Sequence, residues 1–179
     1  CASQVDHVVV CSDLDVERSG CPNAVVVANG ADAAERVRRD RTSWAGEHPV
    51  VVFVGALDYE PNTEAMSWFL RDVWPIVRRG RPDAVLRVVG RGGDALGSLA
   101  RTEGVEMLGR VDDVQVELDR ADVAIVPIRV GAGTRLKVIE ALANRLPMVT
   151  TTPRVTLAPA PPGSVADVLD SAVALSELL

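Results

Sequence analysis

Aromatic residues make up only 3% of this 179-residue chain, and of its 19 Lys and Arg side chains only Lys137 is a lysine. With so few rings, a core must rest on Val, Leu, Ala and Ile, and a hydrophobic content of 47% makes one feasible. That aliphatic bias fits strands covered by helices on both faces. No apolar run approaches the roughly 18 residues of a membrane span, so none is predicted. No charged start leads into an apolar stretch and a cleavage site, so no signal peptide is expected. Cys1, Cys11 and Cys21 lie ten residues apart. That spacing fits neither zinc nor redox sites, and an odd count argues against a disulfide framework. They read as reduced thiols of a cytoplasmic protein. The net charge is −6 with both signs mixed along the chain, and no basic block marks a nucleic-acid partner. The cluster Arg36, Arg38, Arg39 and Arg41 reads as a solvated helix end or linker.

What is present is an alternation of two periods. Valine-rich runs at Val8–Cys11 and within Asn23–Gly30 predict two short buried strands, with Ser12 or Asp13 capping a helical turn between them. Residues 31–49 turn polar and read as a short helix or linker. From Val50 the pattern is regular. Val50–Gly55 predicts a buried strand. Pro61–Arg79 predicts a helix, with Ala65, Trp68, Phe69, Val73, Ile76 and Val77 at helical spacing. Ala84–Val89 predicts a strand, followed by a helix through Arg101; Val105–Leu108 predicts another strand, followed by a helix over Asp113–Arg120. Val123–Pro127 and Pro147–Thr151 predict two further strands, separated by a helix over Thr134–Ala143. A final amphipathic helix is expected over Ser164–Leu179, beyond a proline-rich stretch too short for another βα unit. Such alternation argues for right-handed βαβ units and a doubly wound parallel sheet, an α/β fold of the Rossmann-like type.

In open parallel sheets ligands bind beyond the carboxyl ends of the strands. Four of those ends carry glycine here: Gly55, Gly90-Arg91-Gly92-Gly93, Gly109-Arg110 and Val130-Gly131-Ala132-Gly133. Glycine admits a ligand close to backbone amides, although glycines also end strands in any α/β fold. The densest segment is Gly131-Ala132-Gly133-Thr134-Arg135-Leu136-Lys137-Val138-Ile139-Glu140. A glycine loop entering a helix offers free N–H groups and a positive dipole end, suited to a phosphate or diphosphate. Lys137, one turn in, places an ammonium on the same anion. Glu140, three residues on, is repelled by phosphate and better suited to accept hydrogen bonds from ribose or sugar hydroxyls. Spacing alone equally allows a surface helix with a solvated Lys137–Glu140 pair. The segment is not a P-loop, since Gly-Lys-Ser/Thr is missing, and not a GxGxxG fingerprint, since Leu136 stands where glycine would follow. His7 and His48 read as structural or exposed, and Asp113 as a helix cap rather than half of a carboxylate pair with Asp112.

The run Ala121–Ala143 resembles the donor-binding domain of retaining family-4 glycosyltransferases. So do Val52-Phe53-Val54-Gly55 with Pro61-Asn62, Val88-Val89-Gly90-Arg91-Gly92 and Gly109-Arg110-Val111-Asp112-Asp113. Ser12-x-x-Asp15-x-Glu17 and Ala28–Asp32 are similar to that family's crossing between its two domains. The resemblance runs from residue 5 to about residue 152. It implies one half of a GT-B fold, the C-terminal donor domain. Residues 1–48 would be a remnant of the acceptor domain and crossover linker. Residues 49–179 would be the nucleotide-sugar-binding domain, truncated or degenerate after about 152.

The resemblance also assigns roles. Lys137 contacts phosphate and Glu140 ribose, and these two carry the catalytic expectation. Gly131 and Gly133 give backbone contacts, with Ala132 and Thr134 beside them and Arg135 next to the anion. Gly55, Gly90, Arg91 and Arg110 flank the rest of the nucleotide. The substrate is a UDP- or GDP-sugar, with no cofactor and no required metal. The sequence departs from the family in three ways. Ala132 stands where many relatives have a second glutamate. The loop after Gly55 lacks the family's Arg and Lys. The chain leaves the family pattern after Thr152. The expected function is therefore donor binding within a retaining glycosyltransferase, inactive in isolation. The alternative is a non-catalytic nucleotide-binding module that pairs with a separate acceptor-domain chain. An epimerase of the same architecture lacks the carboxylates and histidines it needs here. A receiver-like domain would carry acids, not glycines, at the strand ends.

Overall fold

The computed structural model describes residues 5–30, 48–129, 136–151 and 165–167. Two parallel sheets form. The small one pairs β1 (Val8–Val10) with β2 (Ala24–Val26) across α1 (Asp13–Ser19). Ser12 caps α1, its Oγ accepting from the Asp15 amide at 3.2 Å, and Gly20 in the left-handed region ends it. These strands were expected to be buried. Instead Val9, Val25 and Val27 are 65%, 45% and 56% exposed. The valine runs do form strands, but no helical layer lies over this face among the described residues, so β-propensity is met without burial.

The large sheet has six strands in the order β5-β4-β3-β6-β7-β8, all parallel. They are β3 (Val50–Val54), β4 (Val85–Val89), β5 (Val105–Gly109), β6 (Val123–Val126), β7 (Met148–Thr150) and β8 (Val165–Asp167). The helical segments between them form two layers. On one face Phe53, Met66, Phe69, Leu70, Trp74, Val77 and Leu86 pack together; on the other Val52, Leu118, Ala124, Val138, Ala141 and Met148 do so. Helix on sheet on helix is the doubly wound arrangement that the alternation predicted. At the start of β3, the Val50 amide donates to Asp122 Oδ2 at 2.7 Å and the Asp122 amide donates back to the Val50 carbonyl at 2.8 Å. This pins the register of the two central strands.

Three expectations need correction. The helix over Pro61–Arg79 is interrupted. It runs as α2 (Glu60–Trp68), a π-helical turn (Phe69–Val73) and α3 (Trp74–Gly80), with the Trp74 amide reaching back to the Phe69 carbonyl. Pro75 explains the break: it has no N–H to offer, and its ring crowds the preceding turn. Ala65, Phe69, Val73 and Val77 of the expected stripe are buried, Met66, Leu70 and Trp74 join them at no more than 1% exposure, and Trp68 and Ile76 are only half-buried. The helix expected before Arg101 is a 3₁₀ segment (Gly93–Arg101) broken at Gly97, whose φ of 56° and ψ of −124° end any regular helix. The final stretch begins not as a helix but as β8, which pairs in parallel with Met148–Thr150. The backbone of β7 needs partners on its outer side, and a short strand supplies them. The sheet therefore gains a further strand beyond residue 152. Residues 168–179 lie outside the described residues.

Candidate functional site

Strand order reverses between β3 and β6. From β3 the chain builds outward through β4 and β5; from β6 it builds outward through β7 and β8. The crevice above the carboxyl ends of these two strands is the topological switch point, where ligands of open α/β sheets bind. Gly55 directly follows β3, and α5 (Leu136–Ala143) follows β6.

Lys137 of α5 is not a solvated surface lysine. It is part-buried, and its Nζ donates to Asn62 Oδ1 at 2.6 Å and lies 4.7 Å from the centroid of the Phe53 ring. The opposed ring face favours the cation electrostatically. A Cβ added at Gly55 would stand 2.5 Å from Lys137 Nζ, 3.0 Å from Phe53 Cζ and 3.1 Å from Asn62 Nδ2. Gly55 is thus the floor on which the ammonium rests, and any side chain there would take its place. Asn62 is only 6% exposed, and its Nδ2 donates to the Ala56 carbonyl at 2.7 Å.

The glycine turns are stitched along one edge. The Gly55 amide donates to the Val89 carbonyl at 2.8 Å, the Leu57 amide to the Arg91 carbonyl at 2.7 Å, and the Gly90 amide to the Gly109 carbonyl at 2.7 Å. Gly90 has a φ of 144° and Gly92 one of 83°, conformations open to glycine and strained for other residues. Arg91 is brought to this edge, but its Nε pairs with Asp58 Oδ2 at 2.6 Å and its side chain is 67% exposed. Such a surface pair contributes little stability. Arg110 is exposed at the outer end of the same edge, beyond β5. Asp113 caps α4 (Val114–Arg120) through the Gln115 amide at 2.9 Å, as expected. His7 and His48 are exposed, also as expected.

Glu140 borders a hollow between α5 and α4. It is exposed and lines a cavity of about 320 Å³ with Val114, Leu118, Leu136 and Asn144. Lys137 and Glu140 also line one small cleft together against Val52, Val54 and Ala141, so a cation and an acceptor stand on the same wall. Gly131, Ala132, Gly133, Thr134 and Arg135 lie outside the described residues.

The sequence reading missed how this crevice is walled. In the sequence Phe53 reads only as part of a buried strand, and Asn62 only as part of the Pro61-Asn62 motif. The detectable signal was a buried amide position at the start of an otherwise apolar-periodic helix, directly after a glycine-ended strand. Arg129 was missed as well. It follows β6, pairs with Glu64 and lies 4.8 Å from the centroid of the Trp68 ring. Thr151 donates from Oγ1 to the Ile128 carbonyl at 2.5 Å, and Thr150 from Oγ1 to the Val126 carbonyl at 3.1 Å. These bonds fix the chain as it leaves β6 toward the glycine loop.

A six-stranded parallel sheet in this order, flanked by helices on both faces and open at its switch point, defines a Rossmann-like α/β domain. More narrowly, the chain belongs to the family of glycosyl transferases group 1, whose profile matches residues 48–173. No curated protein matches the chain. Among solved structures, S. aureus TarM, crystallised with UDP, superimposes with a TM-score of 0.74 at 14% identity, over 98% of this chain and 36% of that one. Anabaena HepE, crystallised with UDP and glucose, gives 0.68 at 14% identity, over 97% of this chain and 52% of that one. WaaG, a glycosyltransferase involved in lipopolysaccharide biosynthesis, gives 0.66 at 18% identity, over 95% and 51%. The fold is shared with all three, and the chain spans about half or less of their lengths. Among the described residues, no helix is long and apolar enough to cross a membrane.

Proposed function

We propose that this chain is the donor-binding half of a retaining, family-4 glycosyltransferase and that it holds the nucleoside diphosphate of a UDP- or GDP-sugar. In this reading residues 1–48 belong to the crossing from the acceptor domain, and residues 49–179 to the C-terminal donor domain. The observation that carries the reading is the position of Lys137 at the switch point, resting on Gly55 and held by Asn62 at 2.6 Å. An ammonium there meets the diphosphate and stabilises it as negative charge develops on it when the sugar leaves. The amides of residues 131–135 add to the same anion site. Glu140 accepts from ribose hydroxyls in the hollow between α4 and α5, and the edge from Gly90 and Arg91 to Arg110 flanks the base. The UDP bound by TarM and HepE supports this choice of ligand class.

Calorimetric titration of the chain with UDP and with GDP tests the reading. One of the two is expected to bind with a Kd of about 0.1–1 mM, an affinity suited to half a cleft. The same chain is expected to transfer no sugar by itself. Absence of heat with both nucleotides at millimolar concentration contradicts the reading. A second reading, a nucleotide-binding module completed by a separate acceptor-domain chain, draws on the exposed Val9, Val25 and Val27 of the small sheet. Co-purification of such a chain favours it, and a monodisperse monomer argues against it.

A further inference from the structure

We infer that Asn62 is a positioning residue that fixes the Lys137 ammonium for the diphosphate. The inference rests on the donor-site reading above. Three contacts carry it. Asn62 Oδ1 accepts from Lys137 Nζ at 2.6 Å, Asn62 Nδ2 donates to the Ala56 carbonyl at 2.7 Å, and the Asn62 amide donates to the Tyr59 carbonyl at 2.9 Å. A lysine ammonium only donates and a carbonyl only accepts. A carboxamide is the side-chain head that satisfies both at once, and in one orientation alone: oxygen toward Lys137, nitrogen toward Ala56. At 6% exposure the group cannot turn to water instead.

The chemistry of the partner matters as much as its position. A carboxylate at residue 62 would hold the lysine as firmly but would neutralise it, and would set a negative oxygen against the Ala56 carbonyl. A neutral amide accepts from the ammonium without setting a negative charge beside it. This also answers the missing Arg and Lys after β3. The loop 55–60 supplies no cation, but it supplies Gly55 and the Ala56 carbonyl that hold the amide and lysine in place.

The test is a double-mutant cycle read by calorimetry, using UDP or GDP, whichever the native chain binds, together with its nucleoside. Asn62→Ala is expected to weaken the diphosphate about tenfold, to leave the nucleoside unchanged, and to have no further effect in a Lys137→Ala background. Asn62→Asp is expected to weaken the diphosphate more than Asn62→Ala does. Equal losses for nucleoside and diphosphate, or additive losses in the double variant, overturn the proposal and leave Asn62 a merely structural residue. If Lys137→Ala itself leaves diphosphate affinity unchanged, the donor-site reading fails. If Lys137→Ala weakens binding and Asn62→Ala does not, only the present inference fails. Should Asn62→Ala not fold, the native chain decides. It has a single lysine, so nitrogen-15 lysine with carbon-13 asparagine gives one ammonium signal. Scalar coupling of that nitrogen to the Asn62 side-chain carbonyl carbon is expected, and its absence overturns the proposal.

Discussion

Gly90→Ala is expected to cost about 3–5 kcal/mol of folding stability, combining backbone strain with forced separation of packed main chain. At a φ of 144° an L side chain is strained before any contact is counted. The added Cβ would overlap the Gly55 carbonyl oxygen, stand 2.5 Å from its carbonyl carbon and lie 3.2 Å from the Ala56 amide. All three are backbone atoms and cannot swing aside as a side-chain tip can. Relief requires β3 and β4 to part where the Gly55 amide meets the Val89 carbonyl and the Leu57 amide meets the Arg91 carbonyl. Urea unfolding measures the loss as a lowered midpoint with an unchanged slope. Gly20→Ala is the control. Gly20 has a φ of 60° with nothing within 4 Å of the added carbon, so the cost is the left-handed penalty alone, about 1 kcal/mol. Equal effects of the two substitutions would show that the close approach of the two strand ends does not matter.

Gly55→Ala should do the opposite: little to the fold and much to the site. Its backbone is not in the left-handed region, and the atom nearest the new Cβ is the tip of Lys137, at 2.5 Å. A lysine tip can move by an ångström at small energetic expense, and buried Phe53 and Asn62, 3.0 and 3.1 Å from the new carbon, must give only slightly, so the expected loss of stability is about 1 kcal/mol. The ammonium, however, would leave its place over Phe53 and lose its bond to Asn62. Diphosphate affinity is expected to fall about 30-fold, which is about 2 kcal/mol at the charged contact. Paired thermal melts and nucleotide titrations check this, since one readout should stay and the other fall. Retained affinity would mean that the lysine reaches its anion from a different position.

The sequence made the large sheet legible because its strands from β3 to β7 are mostly apolar runs, interrupted only by Arg87 in β4 and Glu106 in β5, with glycine, proline or a capping residue close by. The strand-end glycines likewise announced a crevice. The helix after Pro61 was readable, with Ala65, Phe69, Val73 and Val77 buried as their spacing predicts, but its π-helical turn was not. Pro75 sits inside an apolar period, and whether a proline ends, kinks or widens a helix depends on what the freed carbonyls meet. The valines of β1 and β2 signalled strands correctly and burial wrongly, since β-branching reports backbone preference and not the presence of a covering layer. Val165-Ala166-Asp167 was absorbed into a helical period because three residues carry no period of their own. In the site, Lys137 stood out as the single lysine, but its partners did not. Asn62 and Phe53 lie 75 and 84 positions from it, and only the crossover between β3 and β6 brings them together.

The central claim is that the Lys137 ammonium binds the diphosphate of a nucleotide at the switch point. The most direct measurement is the affinity of the native chain and of Lys137→Ala for a nucleoside diphosphate and for the bare nucleoside. The expected result is a loss of about 30-fold or more confined to the diphosphate. Equal diphosphate affinity in the two proteins would contradict the account.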